Sequence, residues 1–312
     1  MRRLYFVGVS TAGSSIMTIF PAFAAALGLD AEIRGIDLPV DAPAGRVRDA
    51  LAALRADQDV AGALVTTHKA AVYDHGRDLL DELDDWALMC REVSCIAFRP
   101  DRVLGWAKDP ITSRQAYTAL LGADPWRDSS TDVVCLGAGG AGLALATAVL
   151  SERHQPRRLV LTDSDPSRLD IARDVLGRLP GRAVVDYQLA GADVDRLVTE
   201  AAPGSLVVNA TGLGKDRPGS PLDDACAFPD RGVIWDMNYR GDLQFLDQAR
   251  RQEDARGLTV ADGWRYFLHG WTEVIAEVFE IPIDARTFAT LADLAAGLTG
   301  RSEIAETGAP RG

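Results

Sequence analysis

The chain has 312 residues, 47% hydrophobic and 25% charged, and a formal net charge of −12 at pH 7. This balance is ordinary for a folded globular protein, and the length suits two domains that each bury a core. The acidic excess argues against a nucleic-acid or anionic-membrane partner, and no apolar run is long enough to span a membrane. Cys90, Cys95, Cys135 and Cys226 form no C-x-x-C pair and the four histidines show no zinc spacing. The expectation is therefore a reducing, cytoplasmic setting and no metal.

Basic residues precede Leu4–Val9, but six apolar positions are short for a leader and read as a first strand. A Ser/Gly loop follows, then a helix over 16–27 stopped by Gly28, with Pro21 a candidate for its true first turn. Residues 31–38 alternate as a strand, and Val47, Leu51 and Leu54 recur at helical spacing. Residues 60–66 predict a third strand that runs into Thr66-Thr67-His68-Lys69, and a helix through Val72, Leu79, Leu80 and Leu83 follows. Residues 93–98 and 103–105 predict a hairpin around Arg99–Arg102. Asp109 before Pro110 is placed to cap a helix reaching Leu121.

A polar linker at Ser129–Ser130 leads into Val133–Leu136, a buried strand, and then Gly137-Ala138-Gly139-Gly140-Ala141-Gly142. Gly137, Gly139 and Gly142 fit G-x-G-x-x-G, with a run of helix formers behind them. One glycine makes the turn, one admits a pyrophosphate, and one lets helix and strand pack. Amides at the helix start then face the phosphates. The next strand ends at Asp163, 21 residues beyond Gly142, where a carboxylate can take ribose hydroxyls. Strand, glycines, helix and acid in register predict dinucleotide binding. Further strands at 183–188, 205–209, 233–237 and 259–261 alternate with helices at 166–179, 194–201 and 243–256, the pattern of a doubly wound parallel sheet. Helices at 264–279 and 285–298 close the chain, and the tail from Arg301 is expected to be mobile.

Two residues carry candidate chemistry. Oxidising an alcohol requires a proton to leave its hydroxyl, and a lysine beside a carboxylate can relay it. Lys69 and Asp109, 40 residues apart, each stand at the end of an element. From spacing alone the plainer reading is a solvated lysine and a helix cap.

The order of features resembles the shikimate and quinate dehydrogenases over nearly the whole chain. Val65–Lys69 resembles the family's N-V-T-x-P-x-K segment without its asparagine and proline, and Gly105–Asp109 resembles G-x-N-T-D. Asn209–Gly214 falls on N-A-T-x-x-G, and Asp236–Tyr239 on D-x-x-Y. The resemblance implies an α/β fold. An N-terminal α/β substrate domain (1–111 and 262–312) joins a doubly wound Rossmann domain (112–261), with the C-terminal helices packing back on the first domain. It makes Lys69 and Asp109 the catalytic pair. It assigns the cofactor to Gly137, Gly139, Gly140, Ala141, Gly142, Asp163, Asn209, Thr211 and Gly212. On the substrate side the family's S-x-S pair lands on Ser14 and Ile16, with Ser15 as a substitute. Thr67 lies in the lysine segment, the asparagine of A-V-N-T lands on Ser94, and the glutamine of the final helix lands on His269 or Gly270.

The expected activity is hydride transfer between a nicotinamide and a secondary alcohol or ketone of a shikimate- or quinate-like cyclic hydroxy acid. The expected form is a monomer or homodimer. NAD is expected over NADP. The family's NADP enzymes carry N-R-T where this chain has Asp163-Ser164-Asp165, and Arg168 is the one nearby cation. The altered pocket residues leave open a modified, for example amino-substituted, ring acid, and a nucleotide-binding sensor without turnover.

Overall fold

The computed structural model describes residues 1–301 apart from Ser129, Arg182, Ala192 and Asp216. Ser129 of the linker and the tail beyond Arg301 therefore lie outside the described residues. The described chain divides into two compact units. Met1–Lys108 joins the residues from Gly270 onward, and Asp109–His269 forms the second.

The first unit contains β1 (Arg2–Gly8), α1 (Ile16–Ala26), β2 (Ala31–Asp37), α2 (Ala44–Ala56), β3 (Val60–Val65), α3 (Lys69–Gly76), β4 (Glu82–Leu83), α4 (Asp85–Cys90), β5 (Cys95–Phe98) and β6 (Val103–Trp106). The sheet runs β2-β1-β3-β5-β6-β4. Only β5 is antiparallel to its neighbours β3 and β6. All six residues of β3 are buried, as expected for a central strand covered on both faces. The β5–β6 hairpin forms as its pattern predicts, closed by the Arg99 amide donating to the Arg102 carbonyl at 2.8 Å.

Pro21 stands inside α1, not in its first turn. A mid-helix proline costs about 3 kcal/mol, but Ile16, Ile19, Phe20 and Phe23 are all fully buried and contribute roughly 1.5–3 kcal/mol each. Packing decides. The helix predicted through Leu83 stops at Gly76, where α3 presses on α2. A Cβ there would lie 2.1 Å from Leu51 Cδ1. A short 3₁₀ turn at Arg77–Leu79 follows, and Leu83 belongs to β4. The sequence reading missed α4. Its signal was present in Asp84, whose carboxylate accepts the Ala87 amide at 2.8 Å as an N-cap.

The second unit contains α5 (Asp109–Leu121), β7 (Asp132–Leu136), α6 (Gly140–Leu150), β8 (Arg158–Asp163), α7 (Pro166–Leu176), β9 (Val184–Leu189), α8 (Val194–Thr199), β10 (Leu206–Asn209), β11 (Val233–Asp236), α9 (Gln244–Arg250), α10 (Glu253–Arg256) and β12 (Thr259–Ala261). Its sheet is wholly parallel and ordered β12-β11-β10-β7-β8-β9. The strand order reverses between β7 and β10, which is where open α/β sheets bind ligands. The single helix expected over 243–256 is two short ones, α9 and α10.

The last helices are α11 (Trp264–Phe279), within which the boundary between the units falls, and α12 (Ala285–Thr299). In the first unit α11 buries Trp271, Val274, Ile275 and Val278, the 3–4 spacing of one helix face. Trp271 meets Phe6 edge-on at 5.1 Å, and α12 packs against α1. The C-terminal helices thus return to the first unit as expected. No helix among the described residues is long and apolar enough to cross a membrane.

Candidate active site

In the first unit β1, β3 and β6 run in one direction and β5 in the other. The ends of β1, β3 and β6 and the start of β5 therefore share one sheet edge. Backbone bonds lace that edge together. The Thr66 amide donates to the Val7 carbonyl at 3.0 Å, the Val65 amide to Ser94 at 2.9 Å, and the Ser94 amide to Trp106 at 2.9 Å. The edge carries Ser14, Ser15, Thr67, Lys69, Ser94 and the Lys108–Asp109 passage. The crossovers return the chain to the same side of the sheet, so segments far apart in sequence end at this edge.

Ser14 is buried and Ser15 opens α1 with no capping bond from its side chain. Ile16 is fully buried in the core, which leaves Ser14 and Ser15 as the serines of this segment that can stand for the S-x-S pair. Thr67 is exposed, and Lys69 is half-buried as the first residue of α3. Ser94 is buried and already engaged. Its hydroxyl accepts the Lys108 amide at 2.7 Å and so holds the segment that leads into Asp109. Lys108 itself is buried in an ion pair with Glu277 at 2.7 Å. Asp109 is buried as the first residue of α5, and its carbonyl accepts the Thr112 hydroxyl at 3.1 Å. His269 and Gly270, the two candidates on α11, lie on either side of the unit boundary. Burial and the charge of Arg265 push His269 down to about 3, so it is neutral at physiological pH.

In the second unit the glycine turn spans the end of β7 and the head of α6. Gly137 has a φ of +107°, and a Cβ there would sit 2.7 Å from the Ala210 backbone. A Cβ on Gly142 would sit 1.9 Å from the Gly137 carbonyl oxygen. These two glycines serve the protein's own packing. Gly139 differs. Its φ is −70°, and a Cβ would meet only Arg168 Nη1, at 3.4 Å. The space in front of Gly139, Gly140 and Ala141 is open to a ligand at a helix N-terminus, and a dinucleotide's pyrophosphate fits that chemistry.

Asp163 is buried at the end of β8. Its two oxygens accept the amides of Ala138 at 2.8 Å and Asp165 at 3.0 Å, so it also braces the glycine turn. Each carboxylate oxygen has a second lone pair for a ribose hydroxyl. The cap of α7 is Asp165, which accepts the Ser167 amide at 2.9 Å. Sequence left the direction of Arg168 open. Its guanidinium turns back to the glycine turn, 3.9 Å from Asp163.

The loop after β10 is tied from below. Asn209 is fully buried, donating to Asp236 at 3.0 Å and to the Leu213 carbonyl at 3.2 Å. Its side-chain oxygen accepts the Thr211 amide and hydroxyl. Both amide hydrogens and both lone pairs are engaged, so the Asn209 side chain shapes the loop. Thr211 and Gly212, the latter at a φ of +75°, form its half-buried rim. Burial raises the Asp236 carboxyl to about 6 against the Asn238 amide and Asn209 bonds, with Asp262 adding to the rise.

A parallel sheet with a glycine turn at its switch point, in a chain whose other unit carries a lysine at the strand ends, is the architecture of a two-unit α/β protein with a candidate nucleotide site. No family model matches the chain. It is 32% identical over 273 residues to a shikimate dehydrogenase (NADP(+)) of Rubrobacter xylanophilus, covering 81% of this chain and 84% of that protein. It is 34% identical over 139 residues to a quinate/shikimate dehydrogenase (NAD(+)) of Corynebacterium glutamicum, 44% of this chain and 45% of that one. In fold it is similar to the Corynebacterium glutamicum quinate dehydrogenase in complex with NAD, with a TM-score of 0.74 at 23% identity over 95% of this chain and 99% of that one. A Thermus thermophilus shikimate 5-dehydrogenase in complex with NADP(H) and shikimate gives 0.70 at 23% identity, over 95% and 100%. The chain belongs to the shikimate/quinate dehydrogenase family, and is accordingly a nicotinamide-dependent oxidoreductase.

Proposed function

We propose that this chain transfers a hydride between NAD and a secondary alcohol or ketone of a cyclic hydroxy acid, with Lys69 exchanging the proton and Asp109 holding and tuning it. The observation that carries the reading is the shared edge of the first sheet. That edge carries Lys69 at the head of α3 and ends at Lys108, the residue before Asp109, and the Ser14–Ser15 loop follows β1, the neighbour of β3. When bound, the nicotinamide supplies or accepts the hydride. The open face of Gly139 and the first-turn amides of α6 hold the pyrophosphate, and Asp163 takes the ribose hydroxyls. The domain assignment, 1–111 with 262–312 for substrate and 112–261 for cofactor, is part of this proposal.

The substrate is a relative of shikimate with a differently held carboxylate. Ile16 is in the core, and the Ser94 hydroxyl is shorter than an asparagine amide and accepts the Lys108 amide, so these two positions hold a substrate carboxylate less fully than the family's serine and asparagine. Each unpaired polar group costs about 1–3 kcal/mol, enough to lower kcat/KM for shikimate well below that for the true substrate. Turnover of NAD on a panel of cyclic hydroxy acids and amino-substituted analogues tests the reading. A substrate turned over by wild type and lost about 10²–10⁴-fold in Lys69→Ala supports it. Binding of the nucleotide with no turnover of any acid would favour the sensor.

Arg168 favours a second reading for the cofactor alone. A cation 3.9 Å from Asp163, beside the glycine turn, can pair with a 2′-phosphate. Asp163 and Asp165 oppose that phosphate, and the proposal keeps NAD. Dissociation constants for NADH and NADPH decide between the two.

A further inference from the structure

Glu92 is a fully buried carboxylate, 3% exposed, that plays no part in the reading above. Its Oε1 has no hydrogen-bond partner. An acid in that condition costs several kcal/mol unless a charge or a proton compensates it. The backbone shows what lies beside it. The amide of Val93, the next residue, donates to the carbonyl of Lys69 at 3.1 Å. This bond pins residues 92 and 69 side by side, Glu92 at the foot of β5 and Lys69 at the head of α3. In the register that puts Ser94 on the asparagine of A-V-N-T, Glu92 replaces the alanine, so a charge stands where that segment is apolar.

We infer that Glu92 is a positioning residue for Lys69: its buried carboxylate pairs with the lysine and holds the ammonium in place. This rests on the proposed role of Lys69.

The charges around the pair are unequal. Burial pushes the Glu92 carboxyl upward, the charge of Lys69 pulls it down, and Asp84 at the cap of α4 pushes it up again. Asp84 has its own bonds to the amides of Ala87 and Ala107, and Lys108 acts on it. Lys69 is thus the cation that supports ionised Glu92. The converse follows by reciprocity: while Glu92 is ionised, loss of the Lys69 proton strands a buried charge. Lys69 consequently holds its proton more tightly: it remains protonated, and able to donate to a substrate oxygen, up to higher pH, and it must lose that proton before it can accept one from an alcohol.

The chain has only three lysines, Lys69, Lys108 and Lys215, which makes a direct titration simple. The protein is dimethylated with ¹³C-formaldehyde, and the methyl signals are followed by NMR against pH, with Lys69→Ala assigning the signal. In Glu92→Gln the Lys69 midpoint should fall by about one pH unit or more, while exposed Lys215 stays put. Glu92→Asp should keep most of the wild-type midpoint. Glu92→Ala, the small residue of the A-V-N-T register, serves if the glutamine variant does not fold. The lower limb of kcat against pH for alcohol oxidation should move down with the Lys69 midpoint. An unchanged midpoint in folded Glu92→Gln or Glu92→Ala overturns the inference. The proposed function is overturned separately, by full turnover in Lys69→Ala, whatever the midpoint does.

Discussion

Substituting the three glycines of the turn separates protein packing from ligand space. Gly139→Val adds a branched side chain at a φ of −70° that any residue adopts. The only atom near its Cβ is the end of the half-exposed Arg168 side chain, 3.4 Å away. The expected stability change is below about 1 kcal/mol, because nothing rigid must move. The added methyls fill the approach to the first-turn amides of α6. Losing two charge-assisted hydrogen bonds there, at about 1.5–3 kcal/mol each, weakens NADH binding by at least about 100-fold. Gly142→Ala should do the opposite. Its Cβ would lie 1.9 Å from the Gly137 carbonyl oxygen and 3.3 Å from Cys135 Sγ, so backbone must shift at a cost of about 1–3 kcal/mol or more. Thermal denaturation and NADH fluorescence titration of both variants make the comparison. A Gly139→Val protein that binds NADH as wild type does, or that unfolds like Gly142→Ala, would refute the assignment of open space to the cofactor.

Asp163→Ala should narrow the preference for NADH over NADPH, and Arg168→Ala should widen it; matching changes in both dissociation constants would show that neither side chain reads the ribose. Asp132 is fully buried at the start of β7. Burial pushes its carboxyl up, but the two hydrogen bonds of Arg157, at 2.7 and 2.9 Å, the Ala202 amide and the charge of Arg158 bring it below the usual range. Its contribution is present above the unfolded value of about 4 and lost as pH falls through the lower folded value. Asp132→Asn should cost about 2–3 kcal/mol at neutral pH and less in acid, read from urea denaturation. Asp236 has the reverse sign. With a folded value of about 6 above an unfolded value of about 4, its contribution is present below pH 4 and lost as pH rises through 6. Stability should fall by roughly 3 kcal/mol across that interval, and Asp236→Asn should flatten that slope; an unaltered pH profile would place the titration elsewhere.

Much of the fold was legible because its signals are local. The glycine pattern, β7 and α6 sit within twenty consecutive residues, and the α11 face repeats at helical spacing. Asp163 could be placed because a strand and a helix have known lengths. The same locality explains the errors. Pro21 looks like a helix start until four buried neighbours outweigh it, and Gly76 ends α3 because of Leu51, a residue of another helix. For the site, sequence and family resemblance named Lys69, Asp109 and the glycines. They could not show that Asn209 has used every hydrogen bond it can make, that Arg168 turns back to Gly139, or that Glu92 is buried beside the backbone of Lys69. Residue type and spacing describe what a side chain is able to do. Burial, direction and unsatisfied valence arise where segments far apart in the chain are brought against each other, so only the tertiary structure decided which of those abilities remain.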